Sequence, residues 1–158
     1  MPILEKDLSS ARTAWGNGLL EISKSFETDS IEMARKVASK MLDTLYGYDL
    51  GQVLFKPTLS GGRQTFRPTK EGALSYFIGQ NSIYPDDIGF GVQSWREFNS
   101  NTSAIFIDDT VAMWMGSVSL IDKNGRVTKV DKSWGYKLDG NGNLRIVLHH
   151  SSLPYETK

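Results

Sequence analysis

The sequence contains no cysteine and only two histidines among its 158 residues. The absence of cysteine excludes disulfide bonds, thiolate nucleophiles, iron–sulfur clusters and zinc sites with cysteine ligands. A zinc site with three histidine ligands is excluded as well, because His149 and His150 are the only histidines. Any metal would depend on carboxylates and water, so we predict a protein that uses no metal and no other cofactor.

An excess of charge of either sign is also missing. Eighteen lysines and arginines balance eighteen aspartates and glutamates, which gives a formal net charge of zero. A neutral chain without a long basic run is poorly suited to bind nucleic acid or an anionic membrane. No segment approaches the roughly 18 apolar residues of a membrane span, and charged residues interrupt the first twenty positions. We expect a cytoplasmic protein, or one in an organelle stroma if a transit peptide has been removed.

Three common catalytic motifs do not occur in the sequence: a phosphate-binding Gly-Lys-Ser/Thr loop, a dinucleotide-binding glycine fingerprint after a strand, and a Gly-x-Ser-x-Gly elbow. The usual nucleotide-dependent enzymes and serine hydrolases are therefore not favoured. The chain length predicts a single domain, residues 1–158, that is large enough to bury its own core.

The first third of the chain predicts two helices. Apolar residues recur at spacings of three and four from Leu8 to Phe26, which is typical of one helix of about five turns. Gly16 and Gly18 weaken this helix, or let another segment approach it closely. A second helix is expected to start at Asp29, with Glu32 as its capping-box partner.

The remainder predicts a short strand at 63–67, a short helix from Thr69 to Ile78 and a final meander of strands. The strands of the meander are expected at 104–107, 111–121, 127–138 and 144–150. Helices followed by an antiparallel sheet indicate an α+β fold. We expect a strongly curved antiparallel sheet wrapped around the N-terminal helices, which would enclose a cone-shaped pocket.

The strand that begins at Val111 is apolar on both faces. Met113 and Met115 lie on one face, and Ala112 and Trp114 lie on the other. Such a strand needs cover on both sides, and the helices of so small a chain can cover only one. We therefore expect a homodimer or a larger assembly.

Four polar residues, His149, His150, Ser151 and Ser152, end the last predicted strand. Regular alternation from Leu144 assigns His150 and Ser152 to the core face, whereas a bulge would turn His149 and Ser151 inward. Either these histidines are hydrogen-bonded parts of the core, or one of them moves protons, because the unperturbed pKa of histidine is about 6.5.

Two segments share the order aromatic, cation, proline, threonine: Phe55 to Thr58 and Phe66 to Thr69. On pattern alone they are turns in which the threonine caps the next element. The carboxylate pairs 86–87 and 108–109 are interpreted as solvated turn residues, and metal binding is the alternative.

Taken together, five segments resemble the iota-class carbonic anhydrases. They are Phe55-Lys56-Pro57-Thr58, Phe66-Arg67-Pro68-Thr69, Ala73-Leu74-Ser75-Tyr76-Phe77-Ile78-Gly79, Gly135-Tyr136-Lys137 and His149-His150-Ser151-Ser152-Leu153-Pro154-Tyr155. That family is related to the association domain of calcium/calmodulin-dependent protein kinase II and has the nuclear-transport-factor-2-like cone fold. The resemblance implies reversible hydration of carbon dioxide to bicarbonate, without a metal in some members.

By the same resemblance, the bicarbonate pocket would be lined by Thr58, Tyr76 and either Ser151 or Ser152. Independently of the resemblance, Phe55 and Phe77 would offer apolar contact to carbon dioxide, and His149, His150 or a buried carboxylate would take the proton. Two other functions compete with this one: an oligomerising or ligand-binding module without catalysis, and a lyase or isomerase of the SnoaL-like, polyketide-cyclase type. The first would not need the pocket hydroxyls, and the second expects an aspartate–histidine pair in a larger apolar pocket.

Overall fold

Three helices and a five-stranded sheet make up the fold in the computed structural model, which describes residues 2–157. In chain order the elements are α1 (Glu5–Thr28), α2 (Ile31–Leu45), β1 (Leu54–Lys56), α3 (Lys70–Ile78), β2 (Trp95–Ile107), β3 (Val111–Asp122), β4 (Val127–Leu138) and β5 (Leu144–Ser152). The strand order is β1-β5-β4-β3-β2. Every neighbouring pair is antiparallel except β1 with β5, which run parallel. The sheet is open, and the predicted α+β class is confirmed.

Two glycines let α1 pack closely against its neighbours. A Cβ at Gly16 would collide with the ring of Phe98 on β2. A Cβ at Gly18 would lie 2.6 Å from the sulfur of Met41 on α2. The expected close approach therefore occurs at both positions. Glycine lowers the intrinsic stability of the helix at these positions, but it allows two tight contacts that a larger residue would block.

The N-cap of the second helix lies one residue later than predicted. Ser30 is its N-cap, and the Ser30 side chain accepts a hydrogen bond from the Met33 amide. The backbone N–H of Asp29 instead binds the carbonyl of Ser25 and so terminates α1. A serine hydroxyl caps as well as an aspartate carboxylate does, so the adjacent pair leaves the boundary ambiguous by one residue.

The strands β3 and β4 match the prediction, whereas two other segments differ from it. The strand β2 begins at Trp95 instead of residue 104. The sequence does not predict its first nine residues as strand, because most of them are exposed and show no apolar alternation. The strand predicted at 63–67 is wrong. The chain there forms a 3-10 turn at Gly62–Gln64, which the Thr65 side chain closes by donating to the Gly62 carbonyl.

A bulge in β5 decides which of its polar residues face the core. Gly135 of β4 pairs with Leu148 while Tyr136 pairs with Ile146, so Val147 is an extra residue in β5. Beyond the bulge the alternation is shifted by one position. His149 and Ser151 are therefore buried on the inner face, only 1% and 0% exposed.

The two faces of the sheet differ in cover. On β3 the inner side chains Ala112, Trp114 and Val118 are buried in the core. On the outer face Met113 and Met115 are 42% and 56% exposed. Within residues 2–157 no helix combines the length and the apolar character needed to cross a membrane.

Candidate active site

Three hydroxyl groups from different parts of the chain meet where β1 and β5 run side by side. The Thr58 Oγ1 and Ser151 Oγ atoms are 2.6 Å apart and share a hydrogen bond. The Tyr76 hydroxyl accepts a hydrogen bond from the backbone N–H of Leu59 at 3.2 Å. We call Thr58, Tyr76 and Ser151 the hydroxyl cluster.

The parallel pairing of β1 with β5 explains this convergence. It aligns Phe55 with His149, so the chain that continues from β1 runs beside the end of β5 and places Thr58 next to Ser151. Lys56 strengthens the junction, because its Nζ donates to the Ser151 carbonyl at 2.9 Å.

Tyr76 reaches the cluster from α3, where it is packed between aromatic rings. Its ring stacks on Phe90 with centroids 5.5 Å apart and meets Phe55 edge-on at 6.2 Å. Burial raises the pKa of Tyr76, and hydrogen bonds from the Leu59 amide and with the Thr58 side chain only partly oppose that rise. The phenol therefore keeps its proton at neutral pH and is available as a hydrogen-bond donor.

Lys132 of β4 extends the cluster into the core. Its side chain is buried, and its Nζ donates to Ser151 Oγ at 3.0 Å. The rings of Trp15 and Trp134 lie 4.7 Å and 5.4 Å from the same nitrogen. Burial lowers the pKa of Lys132 to about 7, and the nearby charge of Lys56 contributes to the decrease.

Sequence reasoning did not identify Lys132 as a site residue, although a signal was present. By regular alternation Val130, Trp134 and Tyr136 lie on one face of the strand, and Lys132 occupies the same face between them. A lysine at an inward position of an apolar strand is rarely buried without a partner. This interruption of the alternation is the pattern that could have revealed it.

His149 connects Lys132 to the deepest part of the core. Its Nε2 is 2.9 Å from Lys132 Nζ, and its Nδ1 is 2.8 Å from the Tyr46 hydroxyl. That hydroxyl in turn accepts a hydrogen bond from Trp15 Nε1 at 2.9 Å. Burial lowers the pKa of His149 well below its usual value, and the neighbouring Lys132 lowers it further. The imidazole is therefore neutral at physiological pH.

The two phenylalanines expected at the site occupy successive layers. Phe55 stacks on the His149 ring at 4.6 Å, with an angle of 12° between the planes. Phe77 stacks behind Phe55 at 6.2 Å. Phe55 thus lies next to the hydroxyl cluster, and Phe77 supports it from the core.

His150 and Ser152 do not join the cluster. The bulge turns both to the outer face of the sheet, where they line a groove together with Met115 and Asp131. Regular alternation from Leu144 placed them inward, and the extra residue in β5 is the physical reason that this expectation is corrected.

A buried ion pair holds the loop that flanks α3. Arg67 binds both carboxylate oxygens of Asp87, at 2.8 Å and 2.7 Å, and Ser75 Oγ donates to the same carboxylate at 2.6 Å. The Asp87 side chain is only 5% exposed. Asp87 is therefore not the solvated turn residue that the sequence suggested. Asp109, in contrast, is exposed and its amide binds the Asp108 side chain.

The two aromatic–cation–proline–threonine segments have different roles. Thr58 joins the hydroxyl cluster, whereas Thr69 is the N-cap of α3 and accepts a hydrogen bond from the Gly72 amide. Across residues 2–157 no group of three or more histidine, aspartate or glutamate side chains is arranged to hold a metal ion.

The chain is similar in sequence to a known protein family. The model of the family described as metal-independent carbonic anhydrase matches residues 6–153. A metal-independent carbonic anhydrase of Nostoc sp. strain PCC 7120 is 46% identical over 154 residues, which are 98% of this chain and 75% of the relative.

Solved structures agree in fold. The crystal structure of a cyanobacterial iota-carbonic anhydrase complexed with bicarbonate superposes with a TM-score of 0.97 at 45% identity, covering 99% of this chain and 95% of that one. A putative calcium/calmodulin-dependent protein kinase II association domain from Xanthomonas campestris has a TM-score of 0.65 at 22% identity, covering 95% of this chain and 87% of that one. The second similarity concerns the fold alone.

Proposed function

The chain belongs to the family of metal-independent carbonic anhydrases, which interconvert carbon dioxide and bicarbonate, and we propose that the reaction takes place at its hydroxyl cluster. The observation that carries the proposal is the 2.6 Å hydrogen bond between Thr58 and Ser151, beside the Tyr76 hydroxyl and a buried amine. Three hydroxyls and a lysine provide what an anion such as bicarbonate needs in a site shielded from water, namely several fixed donors.

The cluster accelerates the reaction by orientation and by electrostatic stabilisation. The ring edges of Phe55 and Tyr76 provide an apolar surface for carbon dioxide, while the Thr58 and Ser151 hydroxyls hold the attacking water. As the water oxygen bonds to carbon, one C=O electron pair moves onto a substrate oxygen. The Tyr76 hydroxyl donates to that oxygen, where negative charge develops.

His149 acts in this proposal by positioning other groups. Both of its ring nitrogens lie within hydrogen-bonding distance of protein groups, and its low pKa keeps it neutral. A neutral ring with no free nitrogen is poorly suited to shuttle protons, so we assign it the role of holding Lys132 in place. His150 and Ser152 face away from the cluster and have no role in it.

Adjacent serines on opposite faces of β5 give a direct test. We expect Ser151→Ala to lower the rate of carbon dioxide hydration about 10²-fold, as for loss of a transition-state hydrogen bond. The matched variant Ser152→Ala removes the same atom from the outer face and should keep the parent rate. Stopped-flow measurements of carbon dioxide hydration test both variants. Equal rates for the two would refute the proposal that the reaction takes place at the hydroxyl cluster.

We also propose that the protein forms a homodimer through the outer face of the sheet. Phe106 pairs with Met113 in the β2–β3 register, and Phe106 and Met115 are both more than half exposed. An apolar patch of this kind on a sheet face favours association. Light scattering at micromolar concentration should give twice the 17.6 kDa chain mass, and Met113→Lys should reduce it to the mass of one chain.

A cytoplasmic location completes the proposal. The chain has no cysteine, so its stability does not depend on an oxidising compartment. Fractionation of source cells with an antibody against the protein tests this, and recovery with the membrane or extracellular fraction would contradict it.

A further inference from the structure

Lys132 is a buried amine without a carboxylate partner. None of the salt bridges within residues 2–157 involves it. Its side-chain nitrogen has hydrogen-bond partners in His149 and Ser151 and cation–π contacts with two indole rings. An ammonium group buried without an anion is strongly disfavoured. The neutral amine is therefore accessible near neutral pH, in keeping with a pKa of about 7.

The hydrogen-bond chain through His149 accommodates the neutral amine fully. If Lys132 is neutral, its lone pair accepts the Nε2–H of His149, the Nδ1 atom accepts the Tyr46 hydroxyl proton, and the Tyr46 oxygen accepts the Trp15 N–H. If Lys132 is charged, Nε2 must accept instead and Nδ1–H must donate to Tyr46. The Tyr46 proton then has no acceptor among the contacts of the described residues, which costs free energy in a dry core.

The charged amine is tolerated as well, because two aromatic faces flank it. The Trp15 and Trp134 rings lie within 6 Å of Nζ, at distances where a cation interacts favourably with an indole. The surroundings of Lys132 thus suit both protonation states, which is what a group that gains and loses a proton in each cycle requires.

We propose that Lys132 is the proton acceptor in carbon dioxide hydration and that the proton reaches it through the Ser151 hydroxyl. This inference rests on the proposed function of the hydroxyl cluster. In the step, the water oxygen bonds to carbon and a water O–H bond breaks. The Lys132 amine turns its lone pair from His149 Nε2 to Ser151 Oγ, which lies 3.0 Å away. The water proton moves to Ser151 Oγ while the proton of Ser151 moves to Lys132 Nζ. Bicarbonate and a lysine ammonium result, and the ammonium then releases its proton to buffer. In dehydration the same steps run in reverse.

The other titratable groups around Lys132 are less suited to the role. His149 from β5 and Tyr46 beyond α2 are engaged in the hydrogen-bond chain, and Tyr76 from α3 keeps its proton because burial raises its pKa. Lys56 from β1 donates to the Ser151 carbonyl and so faces the backbone instead of the hydroxyl pair. The element α1 presents Trp15, which does not titrate. A base with a pKa near the working pH is the most effective proton acceptor.

Two substitutions at Lys132 separate proton transfer from charge and packing. Lys132→Met keeps the apolar stem and removes the amine, and Lys132→Arg keeps a cation that cannot lose its proton. We expect each to lower hydration kcat at least 10²-fold, the usual contribution of general base catalysis. The parent kcat should rise with pH to a plateau with a midpoint near 7. That inflection should be absent from both variants.

Lys129→Met is the matched control, since Lys129 is an exposed lysine of the same strand. It should retain both the rate and the inflection. A folded Lys132→Met or Lys132→Arg protein that keeps the parent rate and pH profile would overturn the role of Lys132 while leaving the proposed function intact. An inactive parent would instead refute the proposed function itself.

A second measurement covers the case in which both variants fail to fold. Carbon-13 NMR of the parent, labelled at lysine Cε, should show one lysine that titrates at the midpoint of the rate profile. Its assignment is checked by the unchanged signal in Lys129→Met. If every lysine of the active parent titrates above pH 9, the inference is wrong.

Discussion

Thr58 Oγ1 and Ser151 Oγ lie 2.6 Å apart, although 93 residues separate them in the sequence. The parallel pairing of β1 with β5 brings them together, and the bulge at Val147 turns Ser151 toward Thr58. Each hydroxyl therefore depends on a backbone feature located some distance from it in the sequence. The site is a product of topology more than of any local motif.

The hydroxyls of Thr58 and Tyr76 should be individually important for catalysis. Thr58→Val and Tyr76→Phe keep the shape of the side chain and remove only the hydroxyl. We expect each to lower the rate of carbon dioxide hydration on the order of 10²-fold, because Thr58→Val loses a group that holds the attacking water and Tyr76→Phe loses the donor to the developing charge. Stopped-flow assays of folded variants measure this.

Thr69→Val supplies the control for Thr58→Val, because Thr69 occupies the equivalent place in the second aromatic–cation–proline–threonine segment. It caps α3 and lies outside the hydroxyl cluster. Its loss should reduce the free energy of unfolding by about 0.5–2 kcal/mol and leave the hydration rate unchanged. Parent-like hydration by both Thr58→Val and Tyr76→Phe would show that the site has been assigned incorrectly.

The Arg67–Asp87 pair should be important for stability. Asp87→Asn removes the charge that faces the buried guanidinium and weakens the hydrogen bond with Ser75. Breaking a buried pair on one side typically costs about 3–5 kcal/mol. Urea unfolding measures the loss. Asp86→Asn changes the exposed neighbouring carboxylate and should stay within about 0.5 kcal/mol of the parent. Similar stability losses in the two variants would contradict the assignment.

The sequence predicts the strands best where alternation and turn residues agree. Val127–Leu138 is found with the predicted bounds, since its buried face carries the large apolar residues Val130, Trp134 and Tyr136 and is interrupted only by Lys132. The first part of β2 could not be recognised, because its polar, exposed side chains look like those of a loop. Backbone pairing with β3 stabilises that segment, and a partner strand distant in sequence leaves no local signal.

The candidate site was predictable only in part. The resemblance of short segments pointed to Thr58 and Tyr76, and to one serine of an adjacent pair. Only the bulge decides that Ser151 and not Ser152 faces the core. The sequence does not mark this bulge, because its extra residue is a valine and not a glycine. Lys132 and Asp87 were missed because both are charged, and charged residues are assigned to the surface unless a specific partner is known.

Removal of metal ions should leave the hydration activity unchanged. The family that matches this chain is described as metal-independent, and the proposed steps use only hydroxyls and an amine. Protein dialysed against a strong chelator should hydrate carbon dioxide at the rate of untreated protein. Loss of activity on chelation, with recovery when stoichiometric zinc is added back, would contradict this expectation, and a zinc-dependent carbonic anhydrase treated in parallel shows that the chelation is effective.

The depressed pKa of Lys132 also predicts how stability depends on pH. The folded protein releases the Lys132 proton near pH 7, whereas the unfolded chain holds it up to its ordinary value of 10.5. Between these values the unfolded state binds more protons, so the free energy of unfolding should increase as pH rises. One such group contributes at most about 1.4 kcal/mol per pH unit. The buried tyrosines act in the opposite direction only above about pH 10, where unfolded tyrosines ionise.

Urea unfolding between pH 7.5 and 9.5 tests this. The free energy of unfolding plotted against pH should have a positive slope for the parent and for Lys129→Met, and a smaller slope for Lys132→Met. Equal slopes for all three proteins would show that Lys132 keeps its proton in the folded state throughout this range.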